Sequence, residues 1–372
     1  MQKNWISLGL MSGTSGDGVD ASIIKTNGIN QYELIKDKYF EYDSDIYKDI
    51  HNLKEKIHTV DHLEKYVEEL NNLERKITLF HAEIVKQLKI SNETIIGFHG
   101  QTIYHNPKEK ISKQLGNGKL LSQLINKSVV FNFRLNDILN GGEGAPLTPV
   151  FHHLISAQNK FKLPICFLNL GGISNITIVN DENNLLELIS KDIGPGNCLV
   201  DAWVRKNSNK KFDKDGHLAS SGTKNEIIFE QAQELYTNRN NKKKKSFDTN
   251  DFDISFVRGL SLEDGAATLT DFTASIIGEE LSFSLKDFKT QSVDVLLCGG
   301  GRKNKILLKK IKDNLPSNIN LKLIDDYKIN GDFIESQAFA FLSIRSILRL
   351  PISFPGTTNC LAPCVGGELI KV

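Results

Sequence analysis

Residues Ser12-Gly13-Thr14-Ser15-Gly16-Asp17-Gly18-Val19 join two apolar runs, 5–10 and 19–24, and leave almost no room for anything but strand, tight turn, strand. Glycine costs conformational entropy, so four glycines from Gly9 to Gly18 are a poor choice for stability alone. They let the backbone approach a ligand, and successive N–H groups in such a turn form an anion-binding nest. Three hydroxyls add hydrogen bonds, and the Asp17 carboxylate could hold a divalent cation beside a phosphate. The plain alternative is a polar hairpin turn, although a two-residue turn would serve a hairpin as well. No Gly-Lys-Ser/Thr ending and no helix follow, which excludes a P-loop.

The same plan returns later. Residues 165–170 read as a strand, Gly171-Gly172 as a turn and 175–179 as a second strand. Two such hairpins facing across a cleft would grip a phosphate chain from both sides. A chain of 372 residues is long enough for two domains, each with its own core.

Between and beyond the hairpins the pattern alternates strands with helices. Residues 32–42 alternate as a third strand, and 44–58 and 62–88 read as helices, the latter with Leu63, Val67, Leu70, Leu73, Ile77 and Phe80 on one stripe. A short strand at 94–98 ends in His99-Gly100-Gln101-Thr102, and a polar cluster directly after a strand is where open α/β sheets place ligand contacts. His99 is equally readable as structural. After a strand at 128–133, Arg134 could clamp a carboxylate or phosphate, or pair with Asp137 as a structural bridge. Residues 141–147, rich in glycine, read as a domain crossing or a ligand loop.

Asp192 stands at a strand-to-helix turn among glycines, suited to general-base work at an anionic group. Its alternative, capping the helix at 199–204, falls better to Asn197, and Asp201 is the weaker candidate base. The run Lys242 to Lys245 reads as a solvated loop. Residues 264–285 form a long helix. A strand at 293–298 then enters Gly299-Gly300-Gly301, where a flat ring or a phosphate could lie on bare backbone. The last long helix spans 333–350, and Glu335 near its start reads on its own as a surface carboxylate at a helix N-terminus. The tail, 355–372, is too apolar to be free and is expected to pack on the first domain.

Charged residues are 24% of the chain and the net charge is +1. That balance offers no basic field to nucleic acid and no charge attraction to a membrane. The N-terminus lacks a signal-peptide pattern, and no apolar run approaches a membrane span. Five cysteines without zinc-ligand spacing fit a reducing cytoplasm. Cys360 and Cys364 could pair with each other or with a metal, and free buried thiols are the simpler reading.

Segments 9–20, 97–105, 131–149, 168–177, 192–203, 264–274, 298–304 and 335–341, taken in order, resemble the anhydro-N-acetylmuramic acid kinases. These are sugar kinases of the actin, hexokinase and heat-shock chaperone superfamily. Gly16 stands where that family more often has a larger apolar residue, Ile193 where threonine is usual, and 247–250 departs from its pattern. The resemblance implies an α/β, two-domain actin/hexokinase-like fold with similar mixed sheets flanked by helices and a cleft between the domains. Residues 1–134 plus about 347–372 would form the first domain, with the first phosphate hairpin and part of the sugar site. Residues 135–346 would form the second, with the second hairpin, the catalytic aspartate and the adenosine site.

It further implies a cytoplasmic enzyme that takes ATP and Mg²⁺, opens a 1,6-anhydro sugar with water and phosphorylates the freed O6. Asp192 would be the base, with Glu335 orienting the sugar or sharing that role. Residues Ser12 to Val19, Gly171, Gly172 and Asn175 would bind the phosphates, with the metal at Asp17, directly or through water. His99, Arg134, Asp137 and Gly194 would line the sugar, and Gly299, Gly300 and Gly301 the adenosine. A kinase for another anhydro sugar such as levoglucosan uses the same machinery, and a basic residue placed for the lactyl carboxylate would favour muramate. A non-enzymatic ATP-binding relative would have no use for a water-activating carboxylate. The partners expected are small molecules, with no nucleic acid and no membrane, and a homodimer is left open.

Overall fold

The structure, a computed structural model, describes residues 3–237, 247 and 251–372. The lysine run Lys242 to Lys245, Ser246 and residues 248–250 lie outside them. The chain divides into two compact units, Met1–Phe161 with Asp181–Ile189 and Asp332–Val372, and Lys162–Asn180 with Ser190–Gly331. Residues 135–161 and the helix Ile334–Ile347 therefore pack with the first unit, where the expected division had placed them in the second.

The first unit is built on a seven-stranded mixed sheet. β1 (Trp5–Ser12) pairs antiparallel with β2 (Gly18–Thr26), which pairs with β3 (Tyr32–Glu41). On its other side β1 runs parallel to β4 (Ile95–Asn106), which pairs with both β5 (Ile111–Leu115) and β6 (Val129–Phe131). The expected tail packing is found: the C-terminal strand Glu368–Ile370 pairs antiparallel with β6.

Strand alternation sends successive side chains to opposite faces. Leu8 and Leu10 of β1 join Val19, Ala21, Ile96 and Phe98 in one core, closed by Ile46 and Ile50 of the helix Ser44–Lys56 and by Leu73 and Ile77 of Val67–Leu88. Ser7 and Gly9 face the other way, toward the helix Ile334–Ile347. At Gly9 an added Cβ would lie 1.9 Å from the Ser336 carbonyl oxygen, and at Gly97 of β4, its register partner, 2.3 Å from that of Phe339. The helix backbone thus rests directly on the sheet. Buried hydroxyl pairs fix its position: Ser22 to Ser336 at 2.6 Å and Ser7 to Ser343 at 2.8 Å.

Gly97→Ala is expected to lower stability by about 1–3 kcal/mol or more, because the methyl can enter only if the helix lifts. Denaturant titration measures this. A midpoint unchanged from the wild type would mean that the helix is not seated as described.

Two local expectations change. The helical stretch 62–88 breaks at Tyr66 (φ −108°, ψ 27°) into Val60–Lys65 and Val67–Leu88. The strand expected at 94–98 continues to Asn106, because its register shifts past β1 after Leu10 and its far half finds β5 as a partner. His99, Gly100 and Gln101 thus lie inside a strand rather than after one.

In the second unit β7 (Ile165–Leu170), β8 (Ile173–Val179), β9 (Ile189–Pro195), β10 (Val293–Cys298) and β11 (Ile319–Leu323) form a mixed sheet in the order β11-β10-β7-β8-β9. Cys166, Leu168, Ile176, Ile193 and Val295 pack with Ile277 and Leu281 of the helix Leu262–Ser284 and Leu307 and Ile311 of Lys305–Asp313. Two mixed sheets flanked by helices agree with the expected fold class. No helix among the described residues is long and apolar enough to cross a membrane.

Candidate active site

Each unit carries one of the two glycine hairpins, and each turn is held in the same manner. In the first unit three turn carbonyls are fixed by the protein. Gly13 O accepts from Gln101 Nε2 at 2.9 Å, Thr14 O from Lys54 Nζ at 2.5 Å and Asp17 O from Tyr42 N at 2.9 Å. A trans peptide points its N–H away from its C=O, so the N–H groups of Thr14 and Ser15 lie on the opposite side of the turn. Both residues are exposed, and around Gly13 an added Cβ would find nothing nearer than Ser15 Oγ at 4.0 Å. The turn is therefore a bare cradle with donors on one side, which suits an anion.

Ser12 Oγ is buried and bonded to Tyr42 Oη at 2.7 Å, so it braces the turn from beneath. Gly16 (φ +67°) would drive a Cβ to 2.9 Å from Ile50 Cγ2; the conformation and the space both ask for glycine here. Val19 is buried in the core, Gly18 pairs with Glu41, and Asp17 is half-buried at the turn's end.

In the second unit Gly171 O accepts from Asn197 N at 2.8 Å, and Gly172 O from Gly196 N at 2.9 Å and Cys198 N at 3.1 Å. The amides of Gly172 and Ile173 are again turned away from the tethered carbonyls. These bonds also cap the helix Cys198–Asn207, which corrects the role expected of Asn197. It occupies the N-cap position, but its side chain makes no capping bond, and of the helix's leading N–H groups the Cys198 N–H goes to the Gly172 carbonyl. Asn175 Oδ1 is buried with no hydrogen-bond partner among the described residues, an acceptor left over in the same hairpin.

Asp192 lies within β9, not in the turn after it, and is 9% exposed. One of its oxygens, Oδ2, accepts the Phe247 N–H at 2.7 Å. Gly194 is buried against Ile276, and Asp201 sits inside the helix as expected. Of the three glycines after β10, Gly299 and Gly301 are crowded by Asn169, Leu170 and Asn197, whereas a Cβ on Gly300 would meet nothing within 4 Å. Arg302 pins this turn, donating to both oxygens of Asp325 (2.6 and 2.8 Å) and to Gly299 O (3.0 Å). Its guanidinium holds the Asp325 carboxyl below the usual carboxylate range.

The remaining candidates gather in the first unit around the helix Ile334–Ile347. Glu335, expected at the surface, is half-buried; burial raises its carboxyl above the ordinary range, and the charge of Arg134 acts the other way. Arg134 donates to His99 Nε2 (2.9 Å) and to Gly144 O (2.7 Å). His99 donates from Nδ1 to Gly100 O at 2.7 Å and packs on Phe339, one helical turn after Glu335. Burial and then Arg134 push the His99 ring well below its usual range, so it is neutral and serves Arg134 as an acceptor. Asp137 is 1% exposed; it accepts from Gly144 N, Ser353 Oγ and Thr358 Oγ1, and so ties loops together.

Gln101, Tyr42, Lys54 and Arg302 escape the sequence reading. Gln101 was visible only as a member of a polar cluster; Tyr42 and Lys54 act on residues far off in the chain, and the carboxylate partner of Arg302, Asp325, lies beyond the next helix.

A family model described as anhydro-N-acetylmuramic acid kinase matches residues 5–371. Among curated relatives, the anhydro-N-acetylmuramic acid kinase of Pelagibacter ubique is 55% identical, with all of both chains covered. That of Zymomonas mobilis is 37% identical over 98% of this chain and 99% of the relative. That of Agrobacterium fabrum is 33% identical over 98% of each.

Proposed function

The chain belongs to the anhydro-N-acetylmuramic acid kinase family, and on that premise we propose a role for each group described above. It is an ATP-dependent sugar kinase. Its reaction takes 1,6-anhydro-N-acetylmuramic acid, water and ATP to N-acetylmuramate 6-phosphate and ADP, a cytoplasmic step in the recycling of peptidoglycan fragments.

Phosphoryl transfer needs positioning and neutralised charge more than covalent help. The N–H sides of the turns at Thr14–Ser15 and Gly172–Ile173 receive the phosphates, and the spare oxygen of Asn175 takes a donor beside them. Asp17, directly or through water, would hold Mg²⁺, which supplies neutralisation of the phosphate charge. Asp192 removes a proton from water as the water oxygen bonds to the anomeric carbon. The C1–O6 bond breaks, its electron pair stays on O6, and O6 displaces ADP from the γ-phosphorus. Glu335 orients the sugar or shares the base role. Arg134 is the cation of the sugar side, matched to the lactyl carboxylate that levoglucosan lacks, while His99 and Asp137 act by fixing Arg134 and its loop. Gly194 keeps β9 close to its neighbours, and Gly299, Gly300 and Gly301 carry the adenosine.

The observation that carries this reading is a match running through nearly the whole chain, with Asp192 and Glu335 both present. Incubation with ATP, Mg²⁺ and a set of anhydro sugars tests it. The muramyl substrate is expected to gain one phosphate by mass and to gain none after the metal is chelated. ADP release that is indifferent to sugar would overturn it, and preference for levoglucosan would overturn the role given to Arg134.

Gly300→Ala separates ligand from fold. Because its Cβ would have none of the described residues beyond its chain neighbours within 4 Å, the melting temperature is expected to hold while KM for ATP rises several-fold with kcat little changed. An unchanged KM would remove Gly300 from the adenosine site.

A further inference from the structure

Behind the loop that holds Arg134, two thiols and a carboxylate converge. One ligand atom each from Asp137, Cys360 and Cys364 lies within 4.8 Å of the others, and all three residues are buried. Tetrahedral metal sites place their donor atoms at such separations, since zinc binds sulfur at about 2.3 Å and oxygen at about 2.0–2.2 Å.

The frame around them is rigid. Ser353 and Cys364 form a β-bridge, with Cys364 N donating to Ser353 O at 3.0 Å and Ile352 N to Cys364 O at 2.8 Å. The carboxylate is oriented by Ser353 Oγ and Thr358 Oγ1 on one oxygen and Gly144 N on the other. Metal sites depend on such outer bonds to aim their ligands. The oxygen bonded only by Gly144 in this set retains a lone pair for a cation. Thiolates are soft donors, which selects zinc over the magnesium used with ATP.

We propose that Asp137, Cys360 and Cys364 form a binding site for one soft divalent cation, zinc by its chemistry, with water completing a tetrahedron. Binding exchanges the two thiol protons for the metal, so about two protons leave for each ion bound. The bound ion cross-links the tail to Asp137, which holds the N–H of Gly144, whose carbonyl accepts from Arg134. Occupancy therefore stiffens the support of the sugar-side cation without touching the phosphate turns.

The test is titration of the full, reduced chain with Co²⁺ as a visible probe. Thiolate-to-metal and tetrahedral ligand-field bands are expected to grow to about one equivalent, to vanish when Zn²⁺ displaces the cobalt, and to accompany a higher melting temperature. The Cys360→Ser/Cys364→Ser double variant is expected to lose the bands. Ser353→Ala keeps all three ligands and is expected to weaken cobalt binding by about 10–100-fold. A wild-type titration without thiolate bands overturns the proposal, as do bands that persist in the double variant, which would place the metal on other cysteines.

Discussion

Asp192→Asn is expected to cut kcat by roughly 10²–10⁴-fold while sugar and ATP still bind, the loss typical of a missing general base. The amide preserves shape and keeps one oxygen for the Phe247 N–H, so the contact that seats the side chain survives. Alanine would be the poorer probe, because it would also remove the acceptor of that N–H. Run in heavy-oxygen water, the wild type should place the label on the anomeric oxygen of the sugar, where water attacks carbon. Label in the phosphate would mean water attacking phosphorus. A variant that turns over within a few-fold of wild type would move the base role to Glu335 or Asp201.

Glu335→Gln should show a different signature. A working carboxylate must be ionised, and burial holds this one above the usual range, so the acid limb of the wild-type kcat profile should lie above ordinary carboxylate pH. In Glu335→Gln that limb should flatten, with kcat down on the order of 10²-fold. Arg134→Gln removes the charge that opposes the shift and should move the limb to still higher pH. Stability runs the other way. A carboxyl whose folded pKa is raised binds its proton more tightly in the folded chain. Its contribution is full below the unfolded pKa and is lost as pH rises through the folded one. Glu335→Gln should therefore melt higher than wild type at neutral pH and lose that advantage in acid. An acid limb that stays where it was in Glu335→Gln would show that another group titrates there.

Both hairpins and the return of the tail were legible because each rests on local signals: apolar alternation, turn glycines and an apolar, glycine-rich end. What was not legible depends on partners remote in sequence. Nothing near residue 335 says that Gly9 and Gly97 leave a bed for the helix, so the helix was assigned to the second domain, and only the family resemblance gave its glutamate a role beyond the surface. The continuation of β4 through His99 and Gln101 follows from β5, a partner strand that a reading by apolar runs passes over. Asn197 has the right type and place for a cap, yet its side chain makes no capping bond, and the Cys198 N–H is met by the carbonyl of Gly172. Asp137 shows the same limit: one of its carboxylate oxygens is held by Ser353 and Thr358, more than two hundred residues away.

The helix Ile334–Ile347 meets its sheet through glycines and two hydroxyl pairs, and this makes its position discrete rather than adjustable. Ser336 and Ser343 are spaced by two helical turns, and their partners Ser22 and Ser7 stand on adjacent strands. A slide of one turn would part both pairs, leaving each hydroxyl only its bond within its own sheet or helix; a slide of less would drive Cβ atoms into the glycine bed. Where the helix backbone rests on Gly9 and Gly97 no side chain lies between to give way, so strain imposed elsewhere has two responses available, to leave the helix unmoved or to detach it whole. Drift in the position of Glu335 under heat, denaturant or mutation should therefore arrive as a step: full activity in the molecules that keep the register and none in those that lose it.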